Sequence, residues 1–237
     1  MDGQTERQRG SMKGEIHEGP GLTYLTVLPD DYDPETSYPL VIMLHGFGAN
    51  MHDLAGLAPA INPTGYVYAC PNAPIPFNLG LGHAGFGWMT PRGGSTPEEV
   101  ANSESLLAGF FDEALARFNV EPGNCLLLGF SQGGGMTYRC GLGRADTFAG
   151  LAALSATLPG ADELDHRLPV ERTQPIFVAH GRYDQMIAES TAHAAKDYLE
   201  KAGYSPEFHV YDMGHEISGE VIRDLVAWMN NVLPPRE

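Results

Sequence analysis

Positive charge is scarce in this sequence. Its 237 residues carry 14 Lys and Arg against 30 Asp and Glu, a formal net charge of -16. Such a surface repels phosphate backbones and anionic headgroups, so no nucleic-acid partner and no acidic membrane surface is expected. Cysteine is also rare, and odd in number: Cys70, Cys125 and Cys140. Three thiols cannot all pair within one chain, and no two of them have metal-ligand spacing. Cys70 and Cys125 lie in apolar runs, which suggests buried free thiols in a reducing cytoplasm. No apolar run approaches the ~18 residues of a membrane span. Residues 1–10 are polar and lack the apolar core of an export signal.

What is present is ordinary globular composition, 43% hydrophobic and 19% charged. The length suits one α/β domain with a large core. Short apolar runs alternate with longer amphipathic segments. Strands are expected at Leu22–Leu28, Leu40–Leu44, Tyr66–Cys70, Cys125–Phe130, Ala149–Leu154, Ile176–Ala179 and Phe208–Tyr211. Helices are expected between them. One starts at Thr96 as N-cap, with Pro97 at the first helical position and Glu99 closing a capping box. Another covers Ser190–Ala202 and stops at Gly203. A third, near the C-terminus, carries Val221, Ile222, Leu225, Met229 and Val232 on one side. This alternation predicts a mostly parallel sheet covered by helices on both faces. Two long segments fall outside it, Asn72–Ser95 and Leu158–Thr173. Both start at the carboxyl edge of the sheet, where ligands of open α/β folds bind, so both are expected to border a site.

The strongest local signal is Gly129-Phe130-Ser131-Gln132-Gly133. It lies between an apolar run and a segment able to open a helix. A G-x-S-x-G in that context is a nucleophile turn, with glycines relieving crowding around an exposed serine. Serine needs a base, and the base needs an orienting acid. In the chain order Ser, acid, His, five histidines follow Ser131. His193 sits within a helix, His209 within a strand, and His166 in a charged loop. His180 ends a strand, and His215 follows the last strand at a loop on the active edge. His215 is the expected base. Asp184, directly after the Ile176–Ala179 run, is the expected acid, ahead of Asp162, Asp165 and Asp212. The backbone N–H groups of Gln132 and Phe47 are the expected oxyanion donors, the second from the glycine-rich loop His45-Gly46-Phe47-Gly48-Ala49. His45 itself is expected to support that loop.

The motifs HGFGA at 45–49, PNAP at 71–74, GFSQGG at 129–134, HGRYDQMI at 180–187 and GHEIS at 214–218 occur in this order. From about Leu22 to Val232 the chain therefore resembles the phospholipase/carboxylesterase family of α/β-hydrolases, which includes acyl-protein thioesterases and lysophospholipases. The resemblance implies an α/β-hydrolase fold and a Ser131–His215–Asp184 triad with Phe47 and Gln132 as oxyanion donors. It departs after PNAP, where relatives commonly carry W-[FY]-D and this chain reads Trp88-Met89-Thr90. Trp88, Met186 and Ile187 are candidate pocket residues, with core packing the competing role. A disordered N-terminal extension is expected over residues 1–14 and a single hydrolase domain over 15–237. The expected protein is a carboxylesterase for small to medium acyl chains, needing no cofactor or metal, as monomer or homodimer. Lysophospholipase or thioesterase activity is the alternative with the same triad. A peptidase or acyltransferase, and a binding protein on an inactive hydrolase fold, are remoter alternatives.

Overall fold

The computed structural model describes residues 12–19, 21–78, 80, 84–91 and 93–237. The strands are β1 (Met12–Glu18), β2 (Thr23–Pro29), β3 (Leu40–Leu44), β4 (Val67–Pro71), β5 (Ile75–Asn78), β6 (Ala84–Gly87), β7 (Cys125–Phe130), β8 (Gly150–Leu154), β9 (Ile176–Gly181) and β10 (Glu207–Tyr211). The helices are α1 (Met51–Ala55), α2 (Ala58–Ile61), α3 (Pro97–Arg117), α4 (Gln132–Gly141), α5 (Ala161–Leu164), α6 (Glu189–Lys201) and α7 (Gly219–Val232), with a 3-10 turn at Asp165–Arg167. Eight strands form one sheet in the order β1-β2-β4-β3-β7-β8-β9-β10. The β1–β2 and β2–β4 pairs are antiparallel, and every later pair is parallel.

The expected continuous apolar strands are buried on both faces, with a period of two. Leu40, Ile42 and Leu44 of β3 and Cys125 and Leu127 of β7 face one core, shared with Leu107, Phe110 and Phe111 of α3 and Met136 of α4. Val41, Met43, Leu126 and Leu128 face the other, shared with Met51 and Leu54 of α1 and Leu225 and Met229 of α7. All three cysteines are buried free thiols, and burial pushes the Cys140 thiol up to about 12. No described helix is long and apolar enough to cross a membrane.

Four expectations change. The first strand begins at Met12, so the boundary placed at residue 14 is too late. Met12 to Gly14 pair with Pro29 to Val27, which gives this polar segment its ladder; residues 1–11 lie outside the described residues. Asn72–Ser95 is not one loop, because β5 and β6 pair as an antiparallel hairpin within it. Leu158–Thr173 contains α5 and the 3-10 turn. The capping box at Thr96 is half formed. Thr96 accepts from the Glu99 N–H at 3.2 Å, but the Glu99 carboxylate turns away to accept from Thr90 N–H at 2.5 Å and Thr90 Oγ1–H at 2.9 Å. A loop amide and hydroxyl outcompete the cap's own N–H for that carboxylate.

Candidate active site

Ser131 sits between β7 and α4 with φ of +55°, a left-handed conformation that costs a non-glycine residue about 1–3 kcal/mol. Packing holds it there. A Cβ added at Gly133 would lie 2.0 Å from Leu44 O, and one at Gly129 would lie 2.3 Å from Gly133 O. Backbone therefore touches backbone on both sides of the serine, which only glycine permits. The Ser131 N–H donates to Leu154 O at 2.8 Å, anchoring the turn to the next strand.

The strand ends beyond β9 and β10 bring the other two residues to it. Arg182 N–H donates to Tyr211 O and Tyr183 N–H to Met213 O, so the loops carrying Asp184 and His215 are stitched together. Ser131 Oγ–H lies 2.9 Å from His215 Nε2, and His215 Nδ1–H donates to Asp184 Oδ2 at 2.6 Å. The second oxygen, Oδ1, accepts from the N–H groups of Met186 and Ile187, both at 2.8 Å. Burial opposes ionisation of Asp184. The Ile187 N–H, the His215 imidazole and the Met186 N–H outweigh it and hold the carboxyl below its usual range. The carboxylate thus stays ionised and keeps the imidazole in the tautomer whose Nε2 can accept from the serine. Phe130 packs on the His215 ring with centroids 4.8 Å apart.

The two expected oxyanion donors flank the serine. Gln132 opens α4, so its N–H stands at the positive end of the helix. Phe47 follows Gly46, where an added Cβ would come within 3.3 Å of Ser131 Cβ. The loop is braced by His45, as expected. His45 is buried, its Nδ1–H donates to Gly46 O at 2.7 Å, and its Nε2 accepts from Ala73 N–H at 3.0 Å. Burial drives its pKa down to about 4, partly countered by the Gly46 carbonyl, so it is a neutral brace. The hairpin grips the loop from the other side: Gly48 N–H donates to Phe86 O and Phe86 N–H to Ala49 O, both at 2.8 Å.

Trp88 is fully buried and is not on the cavity wall, in contrast to the expected pocket role. Its Nε1–H donates to His45 O at 2.9 Å, and its backbone is clasped by Gln132 Oε1 and Ser103 Oγ. An indole with its only N–H satisfied inside gains more by burial than by facing a ligand. Its neighbours take the wall instead. A cavity of about 540 Å³ opens at Ser131 and Gln132, lined by Phe47, Met89, Pro91, Thr157 and the expected Met186 and Ile187. Met89, Pro91 and Thr157 were not among the candidates; Met89 and Pro91 lie within the first long segment, and Thr157 immediately precedes the second. Met89 also walls a second cavity of about 430 Å³ that reaches Glu104 and Arg139. A smaller cavity of about 240 Å³ reaches His215, lined also by Leu54, Leu57, Phe130 and Ile217 with Asp53 and Glu216.

Residues 32–233 match the phospholipase/carboxylesterase family. A probable carboxylesterase of Oryza sativa subsp. japonica is 29% identical over 208 residues, 81% of this chain and 77% of that protein. The acyl-protein thioesterase 1 homolog 1 of Dictyostelium discoideum is 25% identical, covering 88% of this chain and 98% of the relative. The crystal structure of Arabidopsis thaliana SOBER1 superposes with a TM-score of 0.71 at 25% identity, over 83% of this chain and all of that one. Esterase PE8 gives 0.73 at 19% identity over 94% of this chain and all of that one, a likeness of fold. With the match spanning most of the sheet and every loop that meets at Ser131, the chain belongs to the phospholipase/carboxylesterase family of α/β-hydrolases.

Proposed function

We propose that this protein is a serine carboxylesterase acting on esters of small to medium acyl chains through an acyl-enzyme. The observation that carries this reading is the unbroken hydrogen-bond chain from Ser131 through His215 to Asp184, opening into an apolar cavity. Ser131 attacks the carbonyl while His215 takes its proton, and Asp184 steadies the imidazolium that forms. The N–H groups of Phe47 and Gln132 receive the oxyanion. His215 then returns the proton to the leaving group, and water releases the acid by the same route reversed. The acyl chain occupies the larger cavity, whose size falls within the usual range of about 300–1,000 Å³ for ligand pockets. The leaving group departs on the side of the smaller cavity, next to the residue that protonates it. Thioesters fit the same geometry, since the leaving group needs only room beside His215. The three buried free thiols favour a cytoplasmic site of action.

Hydrolysis of p-nitrophenyl esters from acetate to palmitate tests the reading. Wild type should peak at short or medium chains, and Ser131→Ala should lose activity by about 10⁶-fold in kcat. A peak at the longest chains refutes the substrate class. Equal activity in the two proteins refutes the nucleophile.

A further inference from the structure

A second histidine stands behind the acid. His180 lies at the end of β9, four residues before Asp184, and is 0% exposed. Its Nε2 is 2.9 Å from Ile187 O and 3.5 Å from Asp184 Oδ2. A carbonyl and a carboxylate only accept, so Nε2 carries the proton and donates. Nδ1 is then a bare acceptor, and it is buried without a hydrogen-bond partner. A buried polar atom left alone is unusual and asks for a complement.

The complement is one strand away. Ser155 Oγ is likewise buried without a partner. Leu154 pairs with Ala179 in the parallel ladder, so Ser155, just past the end of β8, and His180 of β9 are the next residues along. The Ser155 N–H donates to Ala179 O at 2.8 Å, which ties the two positions together. Ser155 has φ of +46°, one of three non-glycine residues with positive φ among those described, and Ser131 is another. The two atoms are not hydrogen-bonded to each other in this structure, but a serine side chain turns about one bond, and such a turn is what would bring the hydroxyl to the imidazole lone pair.

We propose that Ser155 and His180 form a positioning relay for the acid of the triad, in which the Ser155 side chain turns to donate its Oγ–H to His180 Nδ1 while His180 Nε2–H holds the Ile187 carbonyl beside the Asp184 carboxylate. This rests on the reading of Asp184 as that acid. The relay closes a ring, because Ile187 gives its N–H to Asp184 Oδ1 while its carbonyl is held by His180. Oδ2, the oxygen that accepts from His215, is the one His180 approaches. Neither Ser155 nor His180 lines the cavity at Ser131. Their effect passes through the orientation of the carboxylate, and so through the alignment of the imidazole with the serine.

The test compares His180→Leu, which removes the donor, with His180→Gln, which keeps one, and with Ser155→Ala and Asp184→Asn in the full chain. Kinetics on p-nitrophenyl butyrate are read beside the downfield proton resonance of His215 Nδ1–H. His180→Leu should lower kcat by ~10²-fold while leaving KM within ~3-fold, and should shift that resonance. His180→Gln should recover at least ~10-fold of the loss, and Ser155→Ala should cost kcat several-fold with the resonance displaced in the same direction. A histidine that only fills space would be replaced by leucine without moving the resonance. Unchanged kcat in His180→Leu, or a loss that glutamine does not repair, overturns the relay. If the leucine variant fails to fold, an unaltered resonance and rate in Ser155→Ala overturn it instead. Full activity in Asp184→Asn overturns the triad reading and the relay with it. Loss in Asp184→Asn with none in His180→Leu overturns the relay alone.

Discussion

The two sides of the Ser131 cavity are built on different principles. The reactive side is made of backbone contacts. Gly133 touches Leu44, Gly181 touches the Met213–Gly214 carbonyls, and none of these contacts leaves room for a side chain. The opposite wall, from Trp88 to Pro91, is held by long side chains reaching across. Gln132 Oε1 accepts from Trp88 N–H while its Nε2–H₂ donates to Met89 O, and Glu99 holds Thr90. A structure locked by backbone admits almost no variation in sequence. One held by side chains changes whenever one of those reaches is replaced. The first side keeps the chemistry constant, and the second leaves the substrate open.

Three substitutions sharpen that contrast. The largest effect should come from the reactive side. Asp184→Asn keeps the shape but offers His215 the wrong partner, and kcat on p-nitrophenyl butyrate should fall by about 10⁴-fold. A drop of less than tenfold would break the contrast, because the acid would then be dispensable. The next effect concerns the brace between the sides. His45 stays neutral in the folded protein down to about pH 4, whereas an unfolded histidine takes up a proton near 6.5. Between those values the unfolded chain binds more protons, so stability falls as pH falls. The contribution is complete above pH 6.5 and amounts to ~3 kcal/mol lost by pH 4. Urea midpoints between pH 4 and 7 should show this slope in wild type and a shallower one in His45→Asn, which starts less stable. The smallest effect belongs to the wall. Met89→Ala should join the cavity at Ser131 to its neighbour at Arg139 and raise kcat/KM for octanoate relative to butyrate by roughly 3–10-fold, the scale of a few altered apolar contacts. An unchanged chain-length profile would mean that Met89 does not set the limit.

The same contrast explains what was legible in the residue order. Ser131 could be read because strand, glycine, serine, glycine and helix follow each other without a gap, and steric necessity is local. Asp184 could be placed because it follows a continuous apolar strand and His215 because it follows the last strand, and the edge where strands end is a property of topology. The wall was not legible for the opposite reason. Trp88 looks like a pocket residue until His45 O, far away in sequence, takes its indole N–H. Glu99 completes a capping pattern on paper, yet its carboxylate serves Thr90. The polar segment Met12–Glu18 carries almost no apolar alternation, because as an edge strand it has only β2 to pair with. In each case a non-local partner settled a choice that local pattern left undecided.

Glu99 has a longer reach than its place suggests. It stands in the first turn of α3, a helix of 21 residues, and it lines neither the cavity at Ser131 nor the neighbouring one at Arg139. Yet it moors Thr90, which lies between Met89 and Pro91 on the pocket wall. An inherited change at this helix terminus would move the wall without touching substrate, nucleophile or sheet. Selection can therefore retune which esters such a lineage consumes from a position that an inventory of binding residues would pass over.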